Sequence, residues 1–251
     1  MLKRVTMRER EKEGLLERAL VVVALCCFLL FFSFVLADPT GPGSSNVNIT
    51  SNQTFTGQTT GDIVNISGGY IASINISATV VNEKWKAFVG WVNGVLALRD
   101  SSGDTIYDWT LAVSTGEVFA TRTSGTVTWT GINCSNTSVL ETENSAMGHS
   151  SNSDNITATF NAIDHNAFTV ASETIVANSC YSVHTYINNA SQSTDFEEVI
   201  LYDGTNLVYA TILEDNLAGY DGSGYDFQMI IPQNATTGAA VTPYYIFVEI
   251  S

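Results

Sequence analysis

The chain predicts an all-β fold, an antiparallel β-sandwich of jelly-roll type, preceded by an N-terminal signal peptide or membrane anchor helix. Three observations carry this. Beyond position 46 apolar residues recur with a period of two and no stretch shows a convincing helical repeat. Clusters of Asp, Asn, Ser and Gly cut that alternation into short runs. Pro39, Pro42, Pro232 and Pro243 all stand at the ends of the domain, so nothing between them lacks an N–H for a ladder.

Residues 1–37 are read as a leader. Lys3, Arg4, Arg8, Arg10, Lys12 and Arg18 precede an apolar run over 19–37 that only Ser33 interrupts. Val35-Leu36-Ala37 has the residue types that favour cleavage ahead of Asp38. The same run is long enough to span a bilayer, so an uncleaved anchor is the alternative. In both cases the basic end stays inside, the remainder is translocated, and membrane contact is confined to 19–37. A pilin-type signal cut at Gly14 is a third arrangement, against which Asp38-Pro39-Thr40-Gly41-Pro42-Gly43 stops any helix abruptly.

Residues 38–62 form a flexible lead-in and a possible donor strand, and 63–251 the sandwich domain. In the lead-in Val47, Ile49 and Phe55 alternate with Asn48, Thr50, Asn52 and Thr54. Ile74 and Ile76 alternate with Asn75 and Ser77, and Trp85, Ala87, Val89 and Trp91 share one strand face. A meander follows, with strands at 95–99, 105–113, 117–122 and 126–132. Each is expected to bury one face and wet the other, with Tyr107, Trp109, Leu111 and Val113 on one side of the second. The polar stretch 136–155 reads as a loop. Strands resume at 155–160, 167–176 and 180–187. The run 198–202, Asp203-Gly204-Thr205-Asn206 and 207–213 reads as a hairpin, and strands at 225–231 and 244–250 complete the set.

The first 18 residues hold six of the ten cations and four of the 25 acids, which leaves Lys84, Lys86, Arg99 and Arg122 against 21 acids, a formal charge of −17. Phosphate binding needs clustered Lys and Arg, so a nucleic-acid partner is excluded. Cys134 and Cys180 are the only cysteines outside the leader, and in an oxidising compartment they are expected to pair.

Asn-x-Ser/Thr sequons at Asn48, Asn52, Asn65, Asn75, Asn136, Asn155, Asn189 and Asn234 are glycosylation candidates, with a ninth at Asn133 the poorest because Cys134 occupies its middle position. No catalytic constellation is present. His149, His165 and His184 follow no zinc or triad spacing, Asp164-His165 has no identifiable nucleophile, and Asp195, Glu197 and Glu198 make a weak glycosidase signal because adjacent strand residues face opposite ways. In the run 215–226, Asp215, Asn216, Asp221 and Asp226 supply oxygens and glycines supply turns, which reads as a loose Ca²⁺ site or as an acidic turn without metal. No other cofactor is implied.

The strings Lys84-Trp85-Lys86-Ala87-Phe88-Val89-Gly90, Gly116-Glu117-Val118-Phe119-Ala120-Thr121-Arg122, Phe196-Glu197-Glu198-Val199 and Tyr244-Tyr245-Ile246-Phe247-Val248-Glu249, with Trp129 to Cys134, resemble a group of archaeal exported surface proteins. The resemblance covers most of the chain beyond the leader and implies archaeal origin and export, with no site residues. Architecture alone is more distantly similar to archaeal thread-type pilus subunits. The function expected is therefore a non-enzymatic extracellular or cell-surface protein, a filament or surface-layer subunit or an adhesin, whose partners are copies of itself or other surface proteins. A carbohydrate-binding module that takes glycans, and then an extracellular hydrolase, are the alternatives. Val47, Ile49 and Phe55 serve either as a donor strand for a neighbouring subunit or within their own sheet.

Overall fold

The computed structural model describes residues 38–42, 47–54, 73, 82–111, 113, 115–123, 125–234, 236 and 240–250. The described part is mostly strand and its ladders are antiparallel. In chain order the elements are β1 (Trp85–Gly90), β2 (Gly94–Arg99), β3 (Thr105–Leu111), β4 (Gly116–Thr121), β5 (Asn133–Cys134), α1 (Thr137–Ala146), α2 (Ile156–Thr159), β6 (Phe168–Val170), β7 (Glu173–Ile175), β8 (Ser182–His184), β9 (Glu197–Tyr202), β10 (Leu207–Ile212), β11 (Leu217–Ala218), β12 (Gly224–Tyr225), β13 (Phe227–Pro232) and β14 (Tyr245–Ile250).

The main sheet has six strands in the order β14-β4-β10-β9-β5, with β8 also on β9. Its centre is built from continuous apolar runs: Val118-Phe119-Ala120, Val199-Ile200-Leu201 and Leu207-Val208-Tyr209-Ala210. Alternate side chains of a strand leave opposite faces, so such runs need cover on both. They have it. Phe119, Val199, Leu201, Val208 and Ala210 pack against Trp129, Ile132, Phe168, Val170 and Ile175. Val118, Ala120, Ile200 and Tyr209 pack against Leu140, Ile156, Phe160 and the Met229 and Ile231 of β13. The expectation of one wet face therefore fails for the central strands, because the segments between the strands fold back over both sides.

Several element boundaries differ from those the periodicity predicts. The loop expected at 136–155 contains α1, and the strand expected at 155–160 is the short helix α2. Side chains decide this locally. Asn136 Oδ1 accepts the Val139 N–H at 3.1 Å and Asn155 Oδ1 the Ala158 N–H at 2.8 Å, each capping a helix. Buried Asn144 links the helices, donating to Thr157 Oγ1 at 2.9 Å and accepting from the Ile156 N–H at 2.8 Å. Glu143 of α1 receives the Arg122 guanidinium on both oxygens, at 2.7 and 2.5 Å. The run 126–132 forms no regular strand, although Val127, Trp129 and Ile132 are buried. Residues 167–176 make two strands, reversing where Ala171 takes φ 52°. The strand expected over 180–187 shrinks to Ser182–His184, ahead of left-handed Asn188 and Asn189.

Along one edge of β9, β5 pairs with Tyr202 and Leu201 while β8 pairs with Val199 to Glu197, so two distant pieces of chain lie end to end as one composite strand. At the junction Cys134 and Cys180 are joined by a disulfide, as expected, across 46 positions of sequence. The opposite edge is β14, beside which Thr40 forms an antiparallel bridge with Val248, with hydrogen bonds of 3.0 and 2.9 Å.

The Tyr209 hydroxyl is buried and has no hydrogen-bond partner. Desolvating a hydroxyl without a partner is unfavourable, so Tyr209→Phe is expected to leave stability unchanged or raise it by about 1 kcal/mol. Ile200→Ala, which empties core volume, should lower it by about 2–5 kcal/mol. Denaturant unfolding of the two variants checks the contrast.

Candidate functional site

The least satisfied surface is the hairpin β2–β3. Its turn is well specified: Asp100 Oδ1 accepts the N–H groups of Ser102 and Asp104, both at 2.9 Å, and Gly103 takes φ 89°. The register sets Leu96 opposite Trp109 and Leu98 opposite Tyr107. With Leu111 these residues share one face. The other face carries Val95, Ala97, Asp108 and Thr110. A hairpin so patterned should lay its apolar face on a core, yet among the described residues β2 and β3 pair only with each other, and Leu96, Leu98, Tyr107, Trp109 and Leu111 are all exposed. Ile106, near the turn, is 80% exposed. Tyr107 and Trp109 meet edge to face at 4.8 Å.

The second unsatisfied element is the lead-in. Residues 47–54 belong to no strand, and Val47 and Ile49 are exposed, Ile49 at 79%. Phe55, the third residue of the predicted donor strand, lies outside the described residues, as do Asn65 and Asn75. Asn48 and Asn52 are exposed, in coil. Asn136 and Asn155 are helix caps, which corrects the strand expected over 155–160 for Asn155. Asn189 sits in a left-handed turn and donates its N–H to Tyr220 O, and Asn234 Oδ1 accepts from Thr236 N.

Among the proposed Ca²⁺ ligands the carboxylates face N–H and O–H donors. Asp226 accepts the Val92 N–H on one oxygen at 2.8 Å and the Asn216 N–H on the other at 3.1 Å. Asp221 accepts from Ser223 N at 2.9 Å and Tyr225 Oη at 3.2 Å. Asp215 and Asn216 are exposed. The run folds as the two-residue ladder β11–β12, and Asp226 ties it to the β1–β2 connection. Among the described residues no group of three or more His, Cys, Asp or Glu is arranged to hold a metal ion.

The histidines and glutamates serve the fold. His165 Nε2 accepts the N–H groups of Ser179 and Cys180, at 3.1 and 3.0 Å, which leaves Nδ1 to donate to Asn166 O and fixes the backbone beside the disulfide. His149 is buried with Nε2 on Gln233 O. Glu197 and Glu198 face opposite ways, as their spacing requires. Glu197 accepts from Asn166 and stands 3.9 Å from His184. Glu198 accepts the Ile230 N–H on one oxygen at 2.8 Å, and its other oxygen is buried without a partner. On β4 and β14, Glu117 and Glu249 are direct cross-strand neighbours. Glu249 takes the Ala171 N–H, while Glu117 Oε2 is buried and partnerless. Burial, and then the charge of Glu249, push the Glu117 carboxyl up to about 8. Burial pushes Glu198 well above the usual carboxylate range.

Neither the hairpin's exposure nor the buried carboxylates were readable from sequence. Residues 105–111 announce an amphipathic strand without saying that its apolar face lacks a core, and a glutamate in a strand normally points to water. Compared with protein-family models, with curated proteins and with solved structures, the chain matches none.

Two expectations follow. A carboxyl whose pKa is raised in the folded state stabilises the protein below its unfolded pKa of about 4.3 and loses that contribution as pH rises through the folded value. Thermal stability should therefore fall between about pH 5 and 8 for wild type as Glu117 ionises, and Glu117→Gln should flatten the profile over that window. Asn136→Ala should cost about 1 kcal/mol as a lost cap, whereas Asn136→Asp, which removes the sequon and keeps the capping oxygen, should cost only a few tenths.

Proposed function

We propose that this chain is an exported, non-enzymatic surface protein, built on a jelly-roll-like β-sandwich, that assembles with copies of itself by strand addition as a filament or surface-layer subunit or an adhesin. One observation carries this reading: the same chain exposes an apolar hairpin face with two unpaired strand edges and an unpaired, apolar-alternating segment. A two-stranded hairpin is marginal in water and gains stability from a third strand. The occupant is residues 47–54 of a neighbouring copy. Val47 and Ile49 are spaced to lie on the face that carries Leu96, Leu98, Tyr107 and Trp109, while main-chain hydrogen bonds to a free hairpin edge hold the strand. Such a head-to-tail contact propagates without closing.

The export leader, the resemblance to archaeal exported surface proteins and the charge of −17 beyond the leader support the same reading. Copies of so acidic a subunit repel each other, so salt should promote assembly by screening. A carbohydrate-binding role is the second reading, favoured by the exposed rings of Trp91, Tyr107 and Trp109, which offer stacking faces to a neutral glycan.

Trp109→Asp and Ile49→Asp are each expected to abolish salt-promoted assembly, seen by electron microscopy and light scattering, while leaving the far-UV dichroism of the monomer intact. A peptide covering residues 46–56 should compete with assembly of the wild type. Protein that stays monomeric across the salt series, and binds neutral oligosaccharides with loss at Trp109→Asp, would replace assembly by the glycan reading.

A further inference from the structure

The Glu117–Glu249 pair lies at the β14 edge of the main sheet with no cation beside it. Every cation beyond the leader is engaged or placed elsewhere. Lys84 faces Asp154 at 4.0 Å, Lys86 donates to Thr242 O at 2.7 Å, and Arg122 is held by Glu143. Arg99 belongs to the β2–β3 hairpin. Two neighbouring carboxylates, both buried and one with a partnerless oxygen, are an unfavourable pair when ionised.

The described chain begins beside the pair. Thr40 bridges Val248 in antiparallel sense, so the pairing carries buried Pro39 opposite Glu249 and Asp38 opposite Ile250. Gly41 fits the same alignment, lying 3.9 Å from the Phe247 ring as measured from a Cβ built on it. Glu249 also feels the charge of Asp38, which places the two residues within electrostatic range. The alignment therefore sets the backbone nitrogen of Asp38 along the β14 edge about one residue beyond Glu249. Leader removal ahead of Asp38 turns that nitrogen from an amide into an ammonium.

We propose that the Glu117–Glu249 pair is the receptor for the α-ammonium created at Asp38 by leader cleavage, so that processing supplies the cation this edge of the fold lacks. The proposal rests on the export reading above and adds cleavage at one defined bond. The hydrolysis is the ordinary one: water adds across the Ala37–Asp38 amide, leaving a carboxylate on Ala37 and a protonated amine on Asp38. Before cleavage the Asp38 nitrogen is a neutral amide and Glu117 keeps its proton. Afterwards a positive charge beside Glu249 favours the ionised pair, and the lead-in is held to β14 by charge as well as by the Thr40 bridge.

Expression of the full-length chain in an exporting host, with mass spectrometry of the exported protein, is expected to find Asp38 as the first residue. Its α-amine should react with cyanate at neutral pH about tenfold more slowly than an unstructured α-amine with a pKa of about 7.7–8.0. Glu249→Gln should restore the fast rate. Carbamylation of the α-amine should lower Tm in wild type and leave that of the Glu249→Gln protein unchanged, a pattern that a solvent-exposed terminus does not produce. If Glu249→Gln does not fold, Glu117→Gln, which spares the hydrogen bond to Ala171, should give an intermediate rate. An exported protein that keeps its leader or begins elsewhere, or a wild-type α-amine that reacts at the ordinary rate, would overturn the proposal. None of these outcomes touches strand addition, which is read separately by microscopy.

Discussion

The rest of this fold depends on the ladder β4–β10–β9, three strands whose side chains are covered on both faces. Water reaches neither side, so each residue there is apolar or must find a partner within the protein. Thr121 Oγ1 donates to Leu207 O and Thr211 Oγ1 to Gln228 O, whereas the Tyr209 hydroxyl is left without a partner. The glutamates are harder to place. Glu117 belongs to a strand that buries every position and Glu198 to one that buries all but Tyr202, and each has one carboxylate oxygen with no donor. Burying an ionised carboxylate costs far more than burying a methyl group, and the protein answers by holding the proton. Acidity that is solvated elsewhere becomes a pH-sensitive stress at the centre of the sheet.

The same constraint separates the molecule into parts of unequal stability. The double-sided core ties β4, β9, β10, β13 and both helices into one cooperative body. The β2–β3 hairpin leans on none of it: its ladder is local and its apolar face is open. Such an element opens at little free-energy cost and gains more than any other part of the described chain from an added strand. The 47–54 segment is the proposed complement: Thr40 bridges Val248, and residues 47–54 themselves belong to no strand. The proposed pairing of this acceptor with this donor accounts for exposed Leu, Ile and Trp on so acidic a chain.

Much of the strand inventory was legible because turn chemistry and period-two alternation agree wherever a strand is six residues or so long. The hairpins around Asp100 and Asp203 are where Asp and Gly place them, and the cysteine pairing followed from there being two cysteines to join. The helices were hidden. α1 buries Leu140 alongside Glu143 and Asn144, two polar residues turned inward to meet Arg122 and Thr157, so its inward stripe does not read as apolar. The Asx caps at 136 and 155 were the available signal, and as sequons they invited a different interpretation. The run 126–132 misled in the opposite way: Val127, Trp129 and Ile132 are buried as a strand would bury them, but Thr128 gives its N–H to the Asp203 carboxylate rather than to a ladder. Of the candidate site, the donor's alternation was visible, whereas the lack of cover over β2–β3 depends on where the other layers end.

The splice between β5 and β8 has a consequence for durability against proteolysis. Because Cys134 and Cys180 join two pieces of chain that share one edge of β9, the whole excursion between them, both helices and the β6–β7 hairpin included, is a covalently closed loop. A protease that cuts anywhere in that loop leaves two fragments that remain tethered, with both halves of the composite strand still in register on β9. The nicked molecule keeps the covalent continuity of its central sheet. A chain closed in this way can lose a peptide bond within the loop without releasing either fragment.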